Sequence, residues 1–459
     1  MGGGNVVELG VRNLPAGRQV RNLYRNYFYH SLLALPYFYT TIFKTYFMQI
    51  KTIFYFSLIT VALYSCSNNS DSEKTAATGT GTDSLNAPVE KNKPNTSYPP
   101  AFAGQTRVKG VTTTTPYKVD SLGKIGRPWA IIAFPGNRLL MTDRTGFMQI
   151  LSADGAILKK ITGFPKVVDE NQGGLLDVAL DPDYETNHMI YWSFSEPDKD
   201  STNHTTVAKG MLDEKDSVIK NATVIFRAFP SLKSTYHYGS RLLFDKEGYI
   251  FVTAGERSIL EGRKQSQWLN SGLGKVFRIT KDGKPAPGNP FIGQKDAMPE
   301  IYSYGHRNPQ SMDIHPETGE LWEAEFGPMG GDELNLIKPG KNYGWPIITY
   351  GLEYSGKKIG DSIQVKEGME QPVYYWDPVL SPGGMLFYTG GAIPEWKNNL
   401  FISGQSSTHI ARLVIENNKV VGEERLLFNK RERIRDITQL NGMLYAVSDG
   451  GYIFRISKQ

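Results

Sequence analysis

From about Thr106 to the C-terminus, short apolar runs alternate with turns built from Gly, Pro, Asn and Asp. The run 129–134 reaches a Pro135-Gly136-Asn137 turn and continues as 138–141, with 147–151 beyond. The run 176–180 turns at Asp181-Pro182-Asp183, and 189–193 follows. The run 241–244 turns at Asp245-Lys246-Glu247-Gly248 into 249–253, with 274–279 after it. The run 311–314 turns at His315-Pro316-Glu317-Thr318-Gly319 into 321–324. The run 384–388 leads to 400–402 and 410–414, and 436–438 leads to 444–447 and 452–456. Runs this short, rich in aromatic and β-branched residues and bounded by turn formers, read as strands. No amphipathic helical periodicity separates them. Six copies of one hairpin cue without helical crossovers predict an all-β fold: a six-bladed β-propeller of four-stranded antiparallel sheets. The inserts between units would then carry the site on one face.

Composition agrees with that pattern and narrows the partners. The 459 residues include 47 Gly and 26 Pro, which suits many tight turns. Net charge is +5, but Arg12, Arg18, Arg21, Arg25 and Lys44 against Glu8 supply most of it. The remainder is nearly neutral, so no nucleic-acid partner is expected. A single cysteine, Cys66, excludes an intrachain disulfide and a cysteine metal cluster.

Cys66 is explained by its position. Met48 and Lys51 precede an apolar run from Ile53 to Leu63, and Leu63-Tyr64-Ser65-Cys66 follows. That is a secretory signal, too short to span a bilayer comfortably. It resembles a bacterial lipoprotein signal over 48–66, in which Cys66 is acylated and becomes the new N-terminus. An ordinary cleaved signal is the alternative. Residues 1–47 are expected to be an upstream mis-start or a non-native extension. Residues 67–105 are polar and expected to be a disordered tether. Residues 106–459 form the folded domain. The membrane is touched only through the lipid, and the protein is expected in the cell envelope, facing the periplasm.

Four segments carry candidate chemistry. His237, in Tyr236-His237-Tyr238-Gly239, is the best general base, because an imidazole titrates near neutral pH. Glu256 ends the next strand of the same hairpin and could return beside it to fix its tautomer. Arg307 and Asn308, in Gly305-His306-Arg307-Asn308-Pro309-Gln310, offer a fork of donors for a carbonyl or quinone oxygen. Arg433 and Arg435 alternate along a strand, so both guanidiniums face one way, toward a polyanionic ligand. The segment 327–333 is rich in Gly and Pro, and Asp332 and Glu333 add hard oxygens of the kind Ca²⁺ takes.

Together with Asn171-Gln172-Gly173-Gly174 and Asn342-Tyr343-Gly344-Trp345, these segments resemble the glucose/sorbosone dehydrogenase family, the soluble quinoprotein aldose dehydrogenases. The similarity runs from about Ile125 to the C-terminus. It implies a six-bladed propeller that binds pyrroloquinoline quinone and Ca²⁺ and oxidises aldoses at C1 to lactones. By resemblance, His237 is the base and Glu256 its carboxylate partner. Gln172, His237, Arg307, Asn308 and Tyr354 contact the quinone, with Arg307 near the reactive carbonyl, and Arg433 and Arg435 bind its carboxylates. Gly327 and Pro328 hold the cofactor's calcium through their carbonyls, and Glu333 and Tyr343 hold a further calcium. The substrate is a small aldose; the electron acceptor is not specified, and a homodimer is left open. Two departures stand out. Where the family places a lysine after the run 400–402, this chain reads Ser403-Gly404-Gln405-Ser406-Ser407-Thr408-His409, so a cation is missing unless His409 compensates. Tyr236 stands before the base where a small or acidic residue is usual. A calcium-dependent lactonase or a non-catalytic glycan- or protein-binding propeller are the alternatives.

Overall fold

The computed structural model describes residues 87–459. The expected N-terminal extension, the signal with Cys66 and most of the tether lie outside the described residues. No helix among the described residues is long and apolar enough to cross a membrane.

Six four-stranded antiparallel sheets make the predicted propeller. Blade 1 spans 128–161, blade 2 175–227, blade 3 242–304, blade 4 309–376 and blade 5 382–426. Blade 6 takes three strands from 434–458 and borrows its outermost strand, Tyr117–Lys124, from the start of the domain. Val119 lies opposite Ile456 and Asp120 opposite Arg455 across that seam. The first strand of every blade neighbours the first strands of the blades on either side, so the six ring the axis.

Local sequence explains the hairpins. In the three-residue turn Pro135-Gly136-Asn137 between Pro128–Phe134 and Arg138–Asp143, Gly136 and Asn137 adopt left-handed φ, +77° and +57°, which Gly and Asn tolerate best. Apolar faces pack blade against blade. Trp192 and Trp322 are fully buried there, each large aromatic contributing on the order of 1.5–3 kcal/mol by leaving water. The axis itself is polar. Arg241, before the first strand of blade 3, pairs with Asp177 of blade 2 at 3.0 Å and Asp436 of blade 6 at 3.1 Å, all three buried.

Five of the six first strands lose register within their opening residues: Pro128/Ile131, Leu175/Val178, Pro309/Ser311, Pro382/Met385 and Ile434/Asp436. A bulge bends its strand and re-aims side chains. Here it does so at one end of the ring, where the site lies.

The expected tether boundary at 105 is corrected. Residues 87–105 lie along blades 4 and 5: Glu90 pairs with Arg425 at 2.6 Å, and Asp377 accepts the N–H groups of Asn95 at 2.7 Å and Thr96 at 3.0 Å. Gln105 is fully buried and donates to the Pro372 carbonyl at 2.9 Å. Polar hydrogen bonding holds this strap, so a reading based on apolar runs passes over it.

Candidate active site

Because the axial strand comes first in each blade, the residues that precede first strands and follow second strands share one face. His237 precedes Leu242–Phe244, Arg307 and Asn308 precede Pro309–Ile314, and Arg433 precedes Ile434–Leu440. Glu256 follows Ile250–Ala254, and Gly327 and Pro328 follow Leu321–Glu325. Gln172 stands just before Leu175–Leu180.

His237 is 5% exposed and held in the left-handed region at φ +49°. Its N–H donates to Gln172 Oε1 at 2.7 Å, and its Nδ1 lies 2.8 Å from Glu256 Oε1. With Nδ1 committed to the carboxylate, Nε2 carries the lone pair. Burial, reinforced by the Arg307 charge and opposed by Glu256, brings His237 down to about 4. The imidazole is therefore a neutral base at physiological pH.

Arg307 reaches the carbonyls of Phe326 at 2.9 Å and Gly327 at 2.7 Å through Nη1, and its guanidinium lies over the Trp345 ring. Its Nε is buried without a hydrogen-bond partner among the described residues. Asn308 Oδ1 accepts from the Gly239 N–H at 3.0 Å and Gln310 Nε2 at 3.2 Å, while its Nδ2 is likewise buried and unpartnered. Buried donors of this kind are costly unless a ligand oxygen meets them. They fit a carbonyl-bearing cofactor.

Arg433 and Arg435 also converge, though only Arg435 lies within the strand. The Nε atoms of both donate to one carboxylate, Asp449, at 2.9 and 2.8 Å, and Arg433 Nη2 donates to Gln405 Oε1 at 3.2 Å. Burial raises the Asp449 carboxyl, but Arg435 and Arg433 outweigh it and hold it low, as a carboxylate. Sequence reasoning missed Asp449, because nothing near it in the chain marks it as the brace.

The metal expectations divide. Asp332 is not free to coordinate: Oδ1 accepts the Gly327 N–H at 2.7 Å and Oδ2 the Ser381 N–H at 2.5 Å, fixing the turn that presents the Gly327 and Pro328 carbonyls. The Tyr343 hydroxyl is also spent, donating to the Leu336 carbonyl at 2.7 Å and accepting from the Lys338 N–H at 2.9 Å, so any ligand role there falls to its carbonyl. Glu333 does sit in an acidic group. His306, Glu323 and Glu325 bring their ligand atoms within 4.8 Å of one another, and Asn335 Nδ2 lies 3.1–3.4 Å from Glu323, Glu325 and Glu333. Burial and the neighbouring Glu325 push Glu323 and Glu333 well up. Glu325 also accepts the N–H groups of Arg307 at 2.5 Å and Asn308 at 3.1 Å, so this cluster backs the Arg307–Asn308 pair. Its signal in the sequence was the alternation Glu323, Glu325 opposite Asn335, Glu333 on paired strands.

Two residues do not join the cluster. Tyr354 is 73% exposed on a rim loop. His409 bonds the Ser407 carbonyl at 3.0 Å, and burial with the Arg425 charge brings it down to about 4, so it is neutral and does not replace the missing lysine. A roomier cavity of about 420 Å³, lined by Asp245, Arg278, Tyr302 and Leu321, opens between blades 3 and 4 at the opposite end of the ring.

A buried neutral base on one blade, facing unpartnered donors and guanidiniums on others, suits a propeller that handles an anionic, carbonyl-bearing group beside a proton donor. Comparison with known proteins narrows that class. The family model of glucose / sorbosone dehydrogenase matches residues 125–455, and the chain belongs to this family. It is 38% identical over 339 residues to the aldose sugar dehydrogenase YliI of Escherichia coli K12, covering 73% of this chain and 91% of that one. The crystal structure of the soluble aldose sugar dehydrogenase from Escherichia coli in the apo-form superposes with a TM-score of 0.71 at 37% identity, over 75% of this chain and all of that one. The PQQ-bound aldose sugar dehydrogenase from Streptomyces coelicolor gives 0.61 at 27% identity, over 75% and 99%.

Proposed function

We propose that this chain oxidises the C1 hydroxyl of aldose sugars to lactones, with pyrroloquinoline quinone and Ca²⁺ held at the mouth of the propeller. The observation that carries the reading is the neutral, buried His237, oriented by Glu256 and facing the Arg307–Asn308 pair. Arg307 and Asn308 would meet the quinone oxygens, Gln172 would lie against its edge, and Arg433 and Arg435 would pair with its carboxylates. Gly327 and Pro328 would give carbonyl oxygens to the calcium. They are only two of the roughly six to eight that Ca²⁺ takes, so other oxygens would have to complete the shell. Glu333, with Glu323 and Glu325 crowding the same spot, would supply hard oxygens for a second calcium, to which Tyr343 would add its carbonyl.

When bound, the quinone supplies a two-electron acceptor for the C1 hydride. The protein's part is positioning and proton transfer. His237 Nε2 takes the proton of the C1 hydroxyl, and Glu256 stabilises the imidazolium that results. Arg307 would place its positive charge beside an oxygen of the bound quinone. A lactonase would want carboxylates on a metal beside the base; here the acidic cluster lies behind the backbone of Arg307, and the mouth is cationic.

The test is dye-linked oxidation of an aldose panel after titration with pyrroloquinoline quinone and Ca²⁺. His237→Ala should lower kcat by about 10²–10⁴-fold while quinone binding persists. Turnover independent of quinone, or full activity in the variant, defeats the reading. The same proposal places the domain in the cell envelope on a lipid at Cys66. Cys66→Ser should abolish acyl labelling and move the protein out of the membrane fraction.

A further inference from the structure

The sixth blade offers two arginines to the anion proposed above, and no lysine or arginine stands between Leu400 and Ile410 on the blade beside it. One side chain from that segment does reach the clamp. Gln405 lies just past the strand Leu400–Gly404, and its N–H donates to the Ser381 carbonyl at 3.0 Å. Pro382 and Gly404 are register partners, so this turn opens on the same face as Arg433 and Arg435.

The Gln405 side chain is 1% exposed, and its Oε1 accepts from Arg433 Nη2 at 3.2 Å. A guanidinium can only donate, so the amide oxygen must face Arg433 and the NH₂ must face away from it. That Nε2 is buried and has no hydrogen-bond partner among the described residues. The amide is thus fixed on one side by the clamp itself and presents an unmet donor on the other. A buried donor with no acceptor is unfavourable in the free protein and favours whatever brings an oxygen to it.

We infer that Gln405 is a binding residue of the cofactor clamp: Oε1 orients Arg433, and Nε2 donates to a carboxylate oxygen of the bound anion, a neutral donor in place of a cation. The inference rests on the reading of the ligand as pyrroloquinoline quinone. Its consequence is a site that holds a trianion with less charge, so binding depends less steeply on salt than a lysine would make it.

The experiment is equilibrium binding of pyrroloquinoline quinone to the purified protein with Ca²⁺, followed by tryptophan fluorescence over a range of salt concentrations. Wild type is compared with Gln405→Leu, Gln405→Glu, Gln405→Lys and Arg433→Ala. Gln405→Leu should raise Kd about tenfold, the worth of one hydrogen bond to a charged group. Gln405→Lys should lower Kd and steepen its salt dependence. Gln405→Glu is the decisive variant, because it keeps an acceptor for Arg433 but replaces the donor with an oxygen. It should bind more weakly than Gln405→Leu, whereas a purely structural role predicts binding at wild-type strength. Melting of the apo forms guards against misfolding, since Gln405→Leu removes an unmet buried donor and should melt no lower than wild type. If the three Gln405 variants match wild type in Kd and salt slope while Arg433→Ala loses binding, the inference is overturned and the cofactor reading stands. If wild type itself binds no quinone, both fall.

Discussion

His237 occupies a backbone conformation that side-chain-bearing residues seldom adopt, at a cost of about 1–3 kcal/mol. Three contacts hold it there: Gln172 on its N–H, Glu256 on its ring, and the Arg257 N–H on its carbonyl at 3.3 Å. The depressed pKa fixes the pH behaviour. The acid limb of kcat/KM should fall near pH 4 rather than near 6.5, with a flat profile from about pH 5.5 upward. Glu256→Gln removes the charge that favours the imidazolium, so it should lower kcat and shift the limb further down; a limb that stays put would mean that another group sets it. The sign for stability follows from linkage. Because the folded protein disfavours the charged imidazole, His237 contributes fully above its unfolded value of 6.5. That contribution, about 3 kcal/mol, is lost as pH falls from 6.5 through 4.

Loops at the mouth are fitted closely to these side chains. A Cβ on Gly255 would lie 2.4 Å from the His237 carbonyl oxygen and 2.7 Å from Asn308 Oδ1. Gly255→Ala should therefore displace base and donor together, cutting kcat at least tenfold in a protein whose β-sheet circular dichroism is unchanged. Asp332→Ala would strip the acceptors from the Gly327 and Ser381 N–H groups that join blades 4 and 5. A loss of about 3 kcal/mol in urea unfolding is expected, with weaker calcium binding. The elements that were legible beforehand are those with apolar faces against a neighbour, such as Pro128–Phe134 and Met189–Pro197. Outer strands such as Val218–Arg227 and Tyr117–Lys124 face solvent on one side and interrupt their apolar residues, with Lys220-Asn221 in one and Lys118 and Asp120 in the other, so they escaped notice. The site divides the same way. His237, Arg307 and Arg433 sit in compact motifs, whereas Asp449, Glu325 and Gln405 acquire meaning only through partners the fold brings from elsewhere in the chain.

At the scale of the whole molecule, the ring is stitched along its axis by charge. Arg241 ties blades 2 and 6 to blade 3 and stacks over Trp129 of blade 1 at 4.8 Å. Burial drives the Asp177 carboxyl up to about 6 despite Arg241. Arg241→Ala would leave Asp177 and Asp436 uncompensated there. It should cost about 3–5 kcal/mol in global unfolding, and replacing all three with apolar residues should recover much of that. A small effect of the single substitution would mean that water enters the axis. The seam between Tyr117–Lys124 and Tyr452–Lys458 has a consequence in time. The first strand of the domain emerges from the ribosome with no partner and must wait until the last strand has been made. Until then the nascent chain is an open arc with a bare edge at each end, exposed to chaperones and proteases. Removing either of these strands after synthesis would reopen the same arc, so the two strands guard one latch.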